Sequence, residues 1–325
     1  MKPGPELASW LSDPLRQAQS EARTNAFALS IAEHRLLRSV HHELQAAAGD
    51  PDLVRAVADR FMNDADQLRD FMREMVREAR QDSFFSPPFR RISTEINAGL
   101  LLYDDPSLQL NAGVMPLDMI AAKKTAGAGR GSISFPGFTV MIRFLDPGGA
   151  ILSFWEADPI PEQFASESCG PCRMVGRRAI APDELLVLDG RHQSFVIEHA
   201  TSDIVHMQAV LKAGAAPVAV EYDANTCAFL GATSTDEISS RTQMMLSLLR
   251  ILDHRGATDL LLSTLEDPNF YTRWHAMREL LAHDADAALP PLRRMAAADP
   301  HPDIRSAARA TLSAFFSEEA MPCPA

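Results

Sequence analysis

The sequence predicts a multidomain α+β chain in three parts: an N-terminal helical hairpin within residues 1–90, a central antiparallel β-barrel or sandwich within 91–232, and paired helical repeats with a short tail within 233–325. Three observations predict it. Apolar residues recur at helical spacing up to about residue 82. Short β-prone runs, broken by Gly, Pro and Asp, fill the middle. Near the C-terminus a set of identical residues recurs at an offset of 32 positions.

In the first part, Leu29, Leu36, Leu37, Val40 and Leu44 follow a helical period. Gly49-Asp50-Pro51 then reads as a stop and a start: Gly ends one helix, Asp50 caps the next and Pro51 opens its first turn. Leu53, Val54, Val57, Phe61, Leu68, Phe71, Met72 and Met75 give the second helix one broad apolar face. Ser83–Phe89, with Pro87-Pro88, breaks the pattern.

In the middle part, strands are expected at Ser107–Asn111, Thr139–Leu145, Ala150–Trp155, Glu184–Leu188, Ser194–His199, Ile204–Val210 and Val218–Tyr222, with no helices between them. Their breakers are Gly127–Gly131, Pro136-Gly137, Asp146–Gly149, Asp189-Gly190 and Ala213–Pro217. Phe138–Phe144 alternates with period two, as a half-buried strand should.

In the last part, Asp236 opens a helix that runs to about Leu252. Asp267-Pro268 recurs as Asp299-Pro300, Arg273 as Arg305, Ala276 as Ala308, Leu280 as Leu312 and Leu260 as Leu292. Each unit reads as a helix pair in which an Asp-Pro turn starts the second helix and a small Ala allows close approach. This pattern, with Pro290 inside a first helix, resembles HEAT repeats, and the resemblance implies a protein-binding surface of stacked helices. Two repeats are fewer than a free-standing solenoid needs, so they are expected to lean on the preceding helix or on the β part.

Bulk composition narrows the function. Apolar residues make up 46% and charged residues 23%, ordinary for a chain that buries a core. The net charge of −12 opposes a phosphate backbone, and Arg241–Phe315 balances nine Arg against nine Asp or Glu, so no nucleic-acid partner is expected. Met1–Glu6 lacks the apolar run of a secretion signal, and no apolar stretch approaches the ~20 residues of a membrane span. Four cysteines (Cys169, Cys172, Cys227, Cys323) do not make a disulfide framework. A cytoplasmic location without membrane attachment follows as the expectation.

The run Pro182–Arg191, strand then turn, followed by the strand Ser194–His199, resembles a cupin-type barrel together with the earlier strands. Metal-binding members of that family carry His-x-His, a Glu a few residues on and a later His. This sequence has no His-x-His in its β region, and Trp155-Glu156 sits where a ligand strand would lie.

Candidate site residues follow. His192, His199 and His206 stand seven residues apart on an expected hairpin. With Glu198 or Glu156 they would make a two-His-one-carboxylate set for divalent iron or zinc. Arg191, His192, Trp155 and Glu156 are candidates for holding a small ligand, Arg191 by placing its charge at the barrel mouth. Cys169-Gly170-Pro171-Cys172 is similar to the thioredoxin redox motif, but no βαβ unit surrounds it; it reads as a loop with two thiols between strands, the alternatives being a redox-sensitive disulfide or half of a zinc site. Arg273, Trp274 and Arg278 are candidates for a partner surface, since Trp and Arg are enriched at interface hot spots. The function expected is a non-catalytic ligand-sensing or interaction protein of scaffold or regulatory type, with homodimerisation as one option; a metal-dependent cupin-type oxygenase or isomerase is the alternative.

Overall fold

The computed structural model describes residues 4–94, 96–126 and 131–316. Met1–Pro3, most of the Gly127–Gly131 breaker and Cys323 lie outside the described residues. The described chain forms two compact units, each discontinuous in sequence. The first comprises residues 1–131, 138–155 and 174–215; the second comprises 132–137, 156–173 and 216–325.

The first unit opens with helices α1 (Pro5–Leu11), α2 (Pro14–Ala32), α3 (Arg35–Ala47), α4 (Pro51–Asn63) and α5 (Ala65–Gln81). The helical N-terminal segment is therefore divided more finely than a hairpin. Asp50 caps α4 as expected, its side chain accepting from the Asp52 and Leu53 N–H groups. The long apolar face then breaks at Asp64, which ends α4 and caps α5 through the Gln67 N–H.

A six-stranded antiparallel sheet packs on these helices. Its order is β1 (Arg90–Ser93), β2 (Ala98–Asp104), β3 (Leu108–Met115), then β10 (Ile204–Leu211), β5 (Thr139–Asp146) and β8 (Leu185–Asp189). A second sheet orders β7 (Arg173–Ala179), β6 (Ile151–Glu156) and β9 (Gln193–His199). Alternation divides the work of the larger sheet. Leu108, Leu110, Ala112, Met141, Met207 and Ala209 join one core with Phe27, Phe61 and Phe71 of the helices. Burying each large side chain in this core contributes roughly 1.5–3 kcal/mol. On the other face Val140, Ile142, Phe144 and Leu186 pack against Leu152 and Ile197 of the smaller sheet. The architecture is layered, with open sheets rather than a closed barrel. Among the described residues one α-helix, α6 (Leu117–Ala126), and a short 3-10 turn, Ser166–Ser168, do interrupt the strands.

The second unit holds a three-stranded sheet, β12 (Phe229–Ser234), β11 (Val218–Asp223) and β4 (Ser132–Phe135), with α7 (Glu237–Ile251), α8 (Ala257–Thr264), α9 (Phe270–His283), α10 (Ala285–Ala298) and α11 (Pro302–Phe315). Asp236 caps α7 as the sequence indicated. The 32-residue offset has a structural meaning. Arg273 Nη1 donates to the carbonyls of Asp267 and Pro268 (2.9 and 3.0 Å), and Arg305 Nη1 donates to those of Asp299 and Pro300 (2.6 and 3.0 Å). Each Arg thus holds its own Asp-Pro turn. Ala276 and Ala308 are fully buried between helices, where a larger side chain would not fit. Among the described residues no helix is long and apolar enough to cross a membrane.

Candidate functional site

The inner face of the six-stranded sheet is where polar groups gather. Register places Gly113 of β3 beside His206 of β10, and His206 beside Phe144 of β5. Two residues along, Asn111 lies beside Gln208. Alternation puts Gln109, Asn111, Gly113, His206 and Gln208 on the face opposite the helices, next to the apolar core that includes Phe144 and Met115. Gln109 Nε2 donates to Asn111 Oδ1 at 3.2 Å.

His206 is fully buried (0% exposed), and neither ring nitrogen makes a hydrogen bond of normal geometry, although the Ile204 backbone lies close enough to act on the ring. Burial holds its pKa down at about 4, against a smaller opposing pull from the backbone at Ile204. The ring is therefore neutral at pH 7, with one nitrogen able to donate and the other to accept. Asn97 brings a second buried, unpartnered atom, its Oδ1. Both side chains crowd onto Gly113: a Cβ there would meet Asn97 Oδ1 at 2.6 Å and His206 Cε1 at 2.9 Å. Gly113 is what makes room for them. An unmatched buried polar group costs about 1–3 kcal/mol, so the His206 ring and Asn97 Oδ1, left this way in one place, call for an explanation.

The expected histidine set is not brought together. The four residues between β9 and β10 suggested a hairpin, yet the two strands lie in different sheets, β10 being held between β3 and β5. His206 faces the inner core, whereas His199 is exposed at the end of β9. Glu198 accepts a 2.6 Å hydrogen bond from Ser153 Oγ, which accepts from Trp155 Nε1 at 3.0 Å. Alternation puts this trio on the face of the smaller sheet opposite Leu152 and Ile197. Among the described residues no three His, Cys, Asp or Glu side chains lie close enough to hold a metal ion. The donor set therefore does not fit the iron or zinc that a metal-binding cupin would carry.

The other ligand candidates are engaged locally. Arg191 makes a two-pronged pair with Asp189, two residues before it, instead of presenting a free charge. His192 lies 3.6 Å from the same carboxylate. Trp155 is buried. Glu156 belongs to the second unit, where it pairs with Arg173 at 3.0 Å.

The thiols do not behave as a thioredoxin pair. Cys172 is buried, its N–H donates to the Cys227 carbonyl (3.0 Å), and its thiol meets that of Cys227. Burial pushes the Cys172 thiol up to about 11, with Cys227 adding to the rise. Cys169 is also raised, first by burial and then by Asp303 and Asp158. Activated thiolates need the opposite shift.

On the repeats, Arg273 is a correction to the expected partner surface. It is buried and spent on a two-pronged ion pair with Asp299 (2.8 and 3.0 Å) as well as on its turn. Trp274 packs half-buried on the repeat core and Arg278 is exposed. Sequence reading also passed over a groove of about 630 Å³ along α5, floored by Met72, Val76, Leu145 and Val205 and walled by Arg69, Arg73, Arg77 and Arg80. Three of these arginines are locally neutralised: Arg69 by Asp183, Arg73 by Asp70 and Arg77 by Glu74 and Glu78.

Comparison with known proteins bears on the two units unequally. Residues 232–313 match the family model for HEAT repeats, in agreement with the repeat found in the sequence. A search of curated proteins found no match. Among solved structures, the capsular polysaccharide assembling protein CapF from Staphylococcus aureus aligns at 10% identity and a TM-score of 0.25, over 46% of this chain and 35% of that one. CapF bound to the inhibitor 3-isopropenyl-tropolone gives 10% and 0.24, over 40% and 32%. A protein from Silicibacter pomeroyi described as a sugar phosphate isomerase from a cupin superfamily gives 7% and 0.25, over 46% and 90%. The chain spans about a third of the length of CapF. Identities and TM-scores this low leave the activities of those proteins with those proteins; what similarity shows is that residues 232–313 match HEAT repeats.

Proposed function

We propose that this chain is a non-catalytic ligand-sensing protein: the inner face of its large sheet binds a small, uncharged, hydrogen-bonding molecule, and its HEAT repeats carry a protein partner. In this division of labour residues 1–90 brace the sheet, 91–232 supply the ligand site and 233–325 supply the contact. The observation that carries the reading is the set of buried, unpartnered polar atoms at Gly113: both ring nitrogens of His206 and Oδ1 of Asn97. A neutral imidazole and the amides of Asn97, Asn111, Gln109 and Gln208 offer matched donors and acceptors without charge, which suits hydroxyl or amide groups and rejects ions. The apolar neighbours Phe144 and Met115 suit a ligand with an apolar flank. On the repeats, exposed Arg278 and half-buried Trp274 are the part of the expected surface left to meet a partner.

The test is a thermal-shift screen of uncharged polyols, sugars and small amides at millimolar concentration. A compound that stabilises the wild type, but neither Asn97→Ala nor His206→Leu, supports the reading. Stabilisation that survives both substitutions, or stabilisation confined to divalent metals and anions, overturns it.

A further inference from the structure

Two thiols that the proposed function does not use meet within the second unit, on segments far apart in sequence. Cys227 lies in the turn between β11 and β12, and Cys172 ends the loop 157–172. The Cys172 N–H donates to the Cys227 carbonyl at 3.0 Å. A backbone bond of this kind sets two Cα atoms roughly 5–6 Å apart, the separation that a disulfide spans. Both segments are pinned. In the turn, Asp223 Oδ1 accepts from the Asn225 and Thr226 N–H groups (2.9 and 2.7 Å), and the Asp223 carbonyl accepts from the Cys227 N–H (2.8 Å). Cys227 takes a left-handed backbone conformation there (φ 58°), which would suit Gly or Asn better if the side chain had no use. In the loop, the Ser166 N–H and Oγ donate to Asp303 of α11 (2.9 and 3.0 Å), and His301 Nε2 donates to the Phe164 carbonyl (2.5 Å). The Phe164 ring packs against Phe229 of β12, centroids 6.0 Å apart.

We propose that Cys172 and Cys227 are an oxidation site, which a hydroperoxide such as hydrogen peroxide converts into a disulfide. Cys227, the less buried of the two, reacts first. Its thiolate attacks one peroxide oxygen and the O–O bond breaks. The sulfur becomes a sulfenic acid, and the released hydroxide takes up the Cys227 proton as water. The Cys172 thiolate then attacks the Cys227 sulfur. The S–S bond forms, the S–O bond breaks, and the leaving hydroxide takes up the Cys172 proton as a second water. Two thiols are thereby oxidised to one disulfide, and the peroxide is reduced to water. Burial shields Cys172 from the oxidant while its neighbour remains within reach, which suits it to the resolving step. Cys169 is not the partner. Residues 169–172 run without a helical turn or bend. Cα atoms three residues apart on an extended chain stand roughly 10 Å from each other, past the ~7 Å that a disulfide tolerates. The cross-link fastens to the β11–β12 hairpin the same loop that Asp303 and His301 hold at the start of α11.

Peptide mapping of the full chain tests this. The protein is reduced, freed of reductant, treated with a small molar excess of hydrogen peroxide, quenched with N-ethylmaleimide and digested without reduction. The native chain should lose two hydrogen atoms and yield one linked pair, Cys172–Cys227. The same treatment in urea should instead favour Cys169–Cys172, which closes the shortest loop. Cys172→Ser should stop at a Cys227 sulfenic acid that dimedone traps, and Cys169→Ser should leave the native link unchanged. Native oxidation that links Cys169 to either thiol, or that joins either to Cys323, overturns the proposal. So does a native chain whose Cys172 and Cys227 both stay free thiols under peroxide. The wild-type map decides between these outcomes independently of either variant.

Discussion

Arg273 and Asp299, 26 residues apart, meet as a buried two-pronged ion pair, and the same guanidinium closes the Asp267-Pro268 turn. Asp299 in turn accepts from the His301 N–H, which sets the next Asp-Pro turn. One pair therefore fixes two turns and the spacing between the repeats. Removing either partner leaves a buried charge unmatched, a loss of about 3–5 kcal/mol. Arg273→Ala and Asp299→Ala should each show that loss in guanidinium unfolding followed by circular dichroism. Arg305→Ala, whose side chain is less buried and has no matching carboxylate among the described residues, should cost about 1 kcal/mol. Arg273→Lys should fail to rescue, because a single ammonium cannot span both oxygens and the turn carbonyls.

His206 should make stability depend on pH in a particular window. Its pKa in the folded chain, about 4, lies below the ordinary value of 6.5, so the unfolded chain takes up the proton first. Stability is full above pH 6.5 and falls as the pH drops from 6.5 toward 4, by on the order of 3 kcal/mol in total. Asp189 and Glu184, lowered by their arginine partners, add their own losses only below the usual carboxylate range. Urea unfolding at pH 7.5, 6.0 and 5.0 should therefore show a slope in the wild type that His206→Leu reduces, the remainder belonging to His275, which burial also lowers. At pH 7.5 His206→Leu should be the more stable protein by about 1 kcal/mol, because it deletes two unmatched ring nitrogens from the core. A variant less stable at every pH would contradict this.

Gly113→Ala probes the same place by volume. The added methyl would sit 2.6 Å from Asn97 Oδ1 and 2.9 Å from the His206 ring. The Asn97 side chain can swing aside, but His206 is enclosed, so the expected cost is about 1–3 kcal/mol in thermal unfolding together with loss of any ligand-induced shift. Asn97→Ala/Gly113→Ala should recover part of the stability and none of the ligand response.

The thiols should be slow. With Cys172 raised to about 11 by burial, then by Cys227, almost none of it is thiolate at pH 7.5. Iodoacetamide labelling of the native protein, read by peptide mass spectrometry, should leave Cys172 unmodified over hours and label it on unfolding. Rapid native labelling of Cys172 would restore the redox-motif reading.

Much of the fold was legible because burial leaves periodic marks. All seven expected strands are present within a few residues, and the Asp-Pro repeat located the helix pairs. The strands passed over carry weaker marks: Arg173–Ala179 is exposed at every position, so no alternation distinguishes it from a loop. Leu117–Ala126 lacks a one-sided apolar stripe and did not read as a helix. The site was harder. Proximity in sequence suggested that His199 and His206 share a hairpin, whereas long-range register with Gly113 and Phe144 decides where His206 points. Arg273 read as an interface residue because its carboxylate partner lies in the following repeat. Neutral amides carry no spacing signature of their own, but one signal was available: Gln109 with Asn111, and His206 with Gln208, place polar side chains at i and i+2 within otherwise apolar strands.

The most direct test of the central claim is histidine-selective ¹⁵N NMR of the wild type at pH 7, with and without the strongest stabilising compound from the thermal-shift screen. The account predicts a neutral His206 whose signals stay unprotonated down to pH 5; on addition of an uncharged, hydroxyl- or amide-bearing compound the His206 signals should move and those of His192 and His199 should not. A His206 that titrates near 6.5, or whose signals no uncharged compound displaces, would contradict it.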